Sequence, residues 1–181
     1  MPASRRLSHH LSEGDGIAIL VHVASASAAR EAEEQGAKAL VVDTGIDGIR
    51  EATSLPLLWR GRGLPADADA LAVREGEENG RDHEGLELVV DVRDEDELER
   101  ALERLDPEIF LLSPRDNDDD VDPVESVLAL LPDVPAGKLA IAELAFASRD
   151  DVLQLERAGF DAVLVPAGRV SELVGTRPPE V

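Results

Sequence analysis

Eight short apolar runs, each followed by a polar or helix-compatible stretch, predict an α/β fold for this chain of 181 residues, and their number favours a sheet closed on itself. The runs are four to seven residues long and mostly built from Val, Ile, Leu and Ala, the pattern of parallel strands buried on both faces. Several of the intervening stretches carry helix caps and a single apolar stripe. The expected architecture is a compact (β/α)8 TIM barrel with shortened or missing helices, since such barrels usually take about 250 residues. An open doubly wound sheet is the alternative if the run at Pro56 or at Ala70 is an edge or a loop.

Taken in order, the strand candidates are Ile17 to Val23, Ala39 to Asp43, Pro56 to Arg60, Ala70 to Val73, Leu86 to Val92, Ile109 to Ser113, Leu139 to Glu143 and Ala162 to Val165. Ser27 to Gln35 reads as a short helix, with Ala28, Ala29 and Ala32 on it and Gly36 as its stop. Asp94 to Leu105 is the clearest helix: Leu98, Ala101, Leu102 and Leu105 share one face, and Asp94 caps an amino terminus that favours acids. Asp122 to Leu131 has Pro123 in its first turn, and Ser148 to Ala158 has Ser148 and Asp151 at capping-box spacing with Gly159 after it. Two connections resist a crossover helix. Gly61 to Asp69 is too short for one, and Arg74 to Gly85 could form a helix from Glu75 to about Asn79 but holds little apolar material to pack. The acidic segment Pro114 to Asp122 reads as a solvated loop.

A chain of this length makes one domain, 1–181, with 1–15 either flexible or a short segment capping the barrel bottom. The 39 acidic and 18 basic residues give a formal net charge of −21, which repels nucleic acid and anionic membrane in the absence of a basic patch. One Trp, three Phe and no Tyr leave little surface on which bases could stack. With no Cys, thiolate nucleophiles, disulfides and zinc–thiolate sites are excluded. No apolar run approaches the roughly 20 residues of a membrane span and MPASRRLSHH has no signal-like apolar stretch, so a cytoplasmic location is expected.

In a barrel, working groups stand at the carboxyl ends of strands. His22, Asp43, Arg60, Asp91, Ser113 and Glu143 all lie at or beside such ends. Alternation puts Ala18, Leu20 and His22 on one side of the first strand, and Leu139, Ile141 and Glu143 on one side of the seventh. Asp91 and Glu143 form a candidate carboxyl pair in which repulsion keeps one protonated and the other ionised, as acid–base work needs. The plainer reading of Asp91 is a helix cap or a partner for an arginine. Arg60, with Arg62 two residues on, is placed to hold a phosphate or carboxylate, or to pair with Asp43 or Asp91. Trp59, of opposite parity, is expected to pack between sheet and helices. His22 is a candidate base or, unprotonated, a metal ligand. No cofactor and no metal are expected: His9, His10 and His83 show no ligand spacing, and the Asp116 to Asp120 run lacks the glycine and closing glutamate of a calcium loop. A glycine-rich phosphate loop is also missing.

The second half resembles the indole-3-glycerol-phosphate synthase family, a (β/α)8-barrel enzyme of tryptophan biosynthesis and a lyase. LELVVDVRDEDELERAL resembles that family's fifth strand and helix, LLSPRD its sixth strand exit, and LAIAELAFASRDDVLQLERAGFDAVLVP its seventh strand through its eighth. The resemblance implies that Glu143 stands at the strand-seven glutamate and that Asp91 replaces the strand-five glutamate. It places Arg60 at the strand-three lysine that acts as general acid, and His22 near the strand-one lysine. Ser113 falls at a strand-six asparagine, with Arg115 and Asp116 retained after it. Leu144 replaces a serine, and Pro166 with Ala167 stands where the family holds phosphate through backbone donors. Proline has no N–H, and arginine stays charged at ordinary pH and so makes a poor proton donor. The first loop is also short, since Ser25 to Ser27 lead almost directly into a helix.

Two readings follow. The preferred one is a minimal barrel related to that synthase with a degenerate active site and no assured catalysis. The other is a lyase or isomerase acting on a small phosphorylated or carboxylated metabolite, with Asp91, Glu143, Arg60 and His22 catalytic and Arg62, Ser113 and Arg115 binding the substrate. The expected partner is a small anionic metabolite.

Overall fold

A computed structural model of the protein describes residues 5–14, 16–62, 67–74, 85–114, 120–168 and 170–174. Eight strands close a parallel barrel in chain order: β1 (Ala18–His22), β2 (Ala39–Val42), β3 (Leu57–Trp59), β4 (Ala70–Arg74), β5 (Glu87–Val92), β6 (Ile109–Leu112), β7 (Leu139–Glu143) and β8 (Ala162–Pro166). Closure is made by β1 against β8, from Ala18 opposite Ala162 to His22 opposite Pro166. The runs at Pro56 and Ala70 are both interior strands, which removes the open-sheet alternative. A solitary parallel sheet would leave edges unpaired; the ring leaves none.

Alternation sorts the strand residues into two cores. Ala18, Leu20, Ala39, Val41, Leu58, Ala70, Ala72, Val89, Ile109, Leu111, Ile141, Ala162 and Leu164 fill the inside of the ring. Their neighbours of opposite parity, Val21, Leu40, Trp59, Val90, Phe110 and Val163 among them, pack outward under the helices. Trp59 belongs to this outer layer, 4% exposed, as its parity predicts.

The helices lie where their caps place them. In α2 (Ala26–Glu34) the Ser25 hydroxyl accepts from Ala28 N–H, and in α4 (Glu95–Arg104) the Asp94 carboxylate accepts from Glu97 N–H at 2.8 Å. α5 (Pro123–Leu130) begins under Asp122 with Pro123 in its first turn. α6 (Arg149–Ala158) has the Ser148–Asp151 capping box and ends at Gly159, which takes the left-handed φ of 110°. Short helices α3 (Ile49–Ala52) and α7 (Val170–Val174) follow β2 and β8; neither was expected from the sequence, because four or five residues are too few to display a stripe. Among the described residues no helix joins β3 to β4 or β4 to β5. The helix considered from Glu75 to about Asn79 and residues 116–119 of the Asp116 to Asp120 run lie outside the described residues.

The barrel's amino-terminal end is closed by α1 (Arg6–Ser12). Leu7 and Leu11 join the inner core, and the buried Glu87 carboxylate accepts from Leu7 N–H at 2.6 Å and Ser8 N–H at 3.2 Å. Arg6 pairs with Asp69 at 3.4 Å, where Arg50 of α3 also arrives at 3.0 Å. No helix among the described residues is long and apolar enough to cross a membrane.

Candidate functional site

The alternation that turns Leu20, Val41, Leu58, Val89, Leu111, Ile141 and Leu164 into the barrel turns the residue two positions later into its mouth. Those residues are His22, Asp43, Arg60, Asp91, Ser113, Glu143 and Pro166, and Arg74 follows Ala72 in the same way. The convergence expected of separate strand ends is therefore present, because closure brings them to one rim.

Arg60 reaches across the mouth to Glu143 in a two-pronged pair, Nη1 to Oε1 at 2.5 Å and Nη2 to Oε2 at 2.7 Å. Its Nη2 also lies 3.4 Å from Asp91 Oδ2. Ser113 Oγ stands 2.7 Å from Asp91 Oδ1 and 2.7 Å from Glu143 Oε2, so one hydroxyl links the two carboxyl groups. On the neighbouring side of the rim, His22 Nε2 and Asp43 Oδ2 are 2.6 Å apart, with both side chains about half exposed. That bond fixes the ring and leaves Nδ1 as the imidazole's second nitrogen.

The environments push these groups apart. Burial dominates at Asp91 and raises its carboxyl to about 6, against the lowering pull of Ser113 and Arg60. Burial also works to raise Glu143, but the Arg60 fork and the Ser113 hydrogen bond outweigh it and hold Glu143 below the usual range. At Arg60 burial favours the neutral form, and its carboxylate neighbours more than compensate and raise it.

A concavity of about 380 Å³ opens beside this cluster. His22, Asp43, Arg60 and Glu143 form its polar wall, and Leu144, Ala145, Leu164, Val165 and Pro166 its apolar one. Asp91 and Ser113, 5% and 4% exposed, lie beneath the polar wall and support it. Ser113 thus meets carboxylates where substrate contact was expected. Arg62 is exposed and outside the lining, beyond Gly61, and Arg115 lies outside the described residues. Asp43 completes the His22 pair and Arg74 lies opposite Asp91 in the strand register; both stand at strand exits, and that position was the available signal for them. Among the described residues no group of three or more His, Asp or Glu could hold a metal ion.

Sequence comparison finds similarity to indole-3-glycerol phosphate synthases. That of Acidithiobacillus ferrooxidans is 32% identical over 141 residues, 68% of this chain and 53% of that one. That of Pelodictyon phaeoclathratiforme is 39% identical over 84 residues, 46% of this chain and 32% of that one. That of Chlorobaculum tepidum is 42% identical over 85 residues, again 46% and 32%. The matched segments therefore span from about a third to about half the length of these relatives. No family model matches. Among solved structures, thiamine phosphate pyrophosphorylase from Pyrococcus furiosus superimposes with a TM-score of 0.58 over 87% of this chain and 90% of that one, at 18% identity. That likeness is one of fold.

Proposed function

We propose that this protein is a divergent barrel related to indole-3-glycerol phosphate synthase, in which the synthase reaction is lost and a small-molecule pocket is kept. The Arg60–Glu143 fork carries this reading. By the family resemblance Arg60 stands where a lysine gives up a proton, and a guanidinium held by two carboxylates has no proton to give at ordinary pH. The same fork occupies Glu143, and Pro166 removes a backbone donor at the strand where the family holds phosphate. A barrel keeps its packing when its chemistry goes, because inner core and mouth are different residues on the same strands.

The test is an assay for formation of indole-3-glycerol phosphate by the full chain. No turnover above the Glu143→Gln and Asp91→Asn controls is expected. Wild-type turnover at the rate of an ordinary synthase, abolished in both controls, overturns the proposal.

One observation favours a second reading, a lyase or isomerase on a small phosphorylated or carboxylated metabolite. An imidazole oriented by Asp43 and a carboxyl group raised to about 6 at Asp91 provide a base and an acid on one rim. In that reading Arg60 must leave Glu143 to meet the substrate anion, so anion binding should release the fork. A ligand-soaked crystal with Arg60 turned onto the anion supports it; an unmoved fork at saturating anion counts against it.

A further inference from the structure

The charges of the mouth can be matched in pairs. Arg60 is matched by Glu143, to which it gives both terminal nitrogens. Arg74 stands in register with Asp91, and the two attract each other. Among the described residues that line the pocket, what is left is Asp43, half exposed, with an imidazole as its partner. A neutral His22 leaves Asp43 as a full uncompensated negative charge; a protonated one brings the wall only to neutrality. Neither state makes the wall positive, and the whole chain adds the field of its −21 charge.

Hydrogen bonding points the same way. A neutral His22 gives its Nε2 proton to Asp43 and is left with an acceptor at Nδ1, and Asp43 retains a second oxygen. The same pocket is lined by Leu144, Leu164 and Pro166, an apolar surface for a compact hydrocarbon body. We infer that the pocket takes an organic ammonium ion with a small apolar body, the charge lying against Asp43 and the body against the β7 and β8 exits. The inference rests on the reading of the barrel as a binding site and reverses the sign of the ligand charge that Arg60 alone suggests.

Calorimetric titration of the full chain at low salt and about pH 8, above the ordinary range of imidazole, tests it. The probes are 2-phenylethylamine, 2-phenylethanol, 3-phenylpropanoate and inorganic phosphate. The amine should bind at least about tenfold more tightly than the carboxylate, with the alcohol between them, a gap equivalent to about 1.4 kcal/mol. Asp43→Asn should remove most of that preference. Glu99→Gln, which deletes the same charge from the exposed face of α4, should keep it. Carboxylate or phosphate binding as tightly as the amine, no amine binding at millimolar concentration, or an Asp43→Asn variant with the preference intact would each overturn the inference. Synthase turnover in the preceding assay overturns the degenerate-barrel reading instead, so the two failures are distinguishable.

Discussion

Asp91 and Glu143 lie on either side of a single hydroxyl: Oδ1 of the first and Oε2 of the second are each 2.7 Å from Ser113 Oγ. A serine has one proton to donate, so both contacts are full hydrogen bonds only when one carboxyl group carries a proton of its own. Asp91, the more deeply buried and raised to about 6, is the group that takes up that proton as the pH falls through about 6; above it the Ser113 hydroxyl donates to ionised carboxylates and lowers both. Ser113→Ala removes a bond that lowers both acids, so the Asp91 titration should move above about 6, while Ser113→Thr should leave it in place. Carboxyl carbon NMR across the pH range measures this. An unmoved titration in the alanine variant would mean that the hydroxyl bonds neither acid.

Stability should follow the same proton. Asp91 binds it more tightly in the folded protein, at about 6 against an ordinary 3.8, so its contribution is fully present below about pH 4 and is lost as pH rises through about 6. Glu143, lowered from 4.5, has the opposite sign: its contribution is present above that value and is lost as the pH falls through the lowered one. Because the pair is coupled, the observable is two macroscopic steps. Between pH 4 and 7 the wild type should lose on the order of 2 kcal/mol relative to Asp91→Asn, which keeps the shape without the titration. Urea unfolding of both proteins at matched pH provides the comparison, and parallel profiles would refute the assignment.

Arg60 is the counter-charge for both acids, and its removal should be worse than its absence from a mouth built without them. Arg60→Met takes from Glu143 its forked cationic partner and from Asp91 one of its two cationic neighbours, and should cost about 2–4 kcal/mol. Adding Glu143→Gln should restore more than half of that loss, because the stranded charge goes with it. A double-mutant cycle by denaturant unfolding decides this; additive losses would show that the fork contributes little.

The ring was legible because a parallel barrel writes itself as repeated apolar runs, and Leu58–Arg60 or Ile141–Glu143 show their inward parity without any tertiary information. The helices at Asp94 and Ser148 were legible from their caps, which are local chemistry. What each rim residue touches was not. The sequence offers Arg60 several carboxylates, and only strand order and tilt put Glu143, 83 positions away, within reach of its fork. Ser113 reads equally well as a ligand contact until closure places it between two acids. Likewise, α1 has no signal beyond Leu7 and Leu11, since its docking depends on Glu87 at the start of a distant strand.

Gly61 is fixed by crowding. A Cβ built there would fall 1.7 Å from the carbonyl oxygen of Asp43, a backbone atom that cannot swing aside. Trp59 Nε1 also donates to the Gly61 carbonyl at 3.2 Å, which ties the same turn to the outer core. Gly61→Ala should therefore displace the Asp43 turn, costing about 2–3 kcal/mol as overpacking does. Because Asp43 moves, the His22 ring resonances should shift in the same variant. A variant of wild-type stability with unchanged His22 shifts would mean that the two turns are not in contact.

At the opposite end, Glu87 holds α1 by its first backbone donors, and the strength of that hold can be separated from the packing of Leu7 and Leu11. The carboxylate accepts from Leu7 N–H at 2.6 Å in a buried setting, where an unpaired donor costs about 1–3 kcal/mol. Glu87→Gln retains an acceptor oxygen of the same reach and should lose only the charge-assisted part. Glu87→Ala strands the Leu7 amide and opens space beneath it, so α1 should undock before the barrel unfolds. Amide exchange reads the difference: in Glu87→Ala the amides of α1 should exchange much faster while those of β5 and β6 stay protected. Combining Glu87→Ala with Leu7→Ala should then cost less than the sum of the single losses, because a helix already undocked has no leucine packing left to lose. Full additivity would show that Leu7 holds its place in the inner core without help from Glu87.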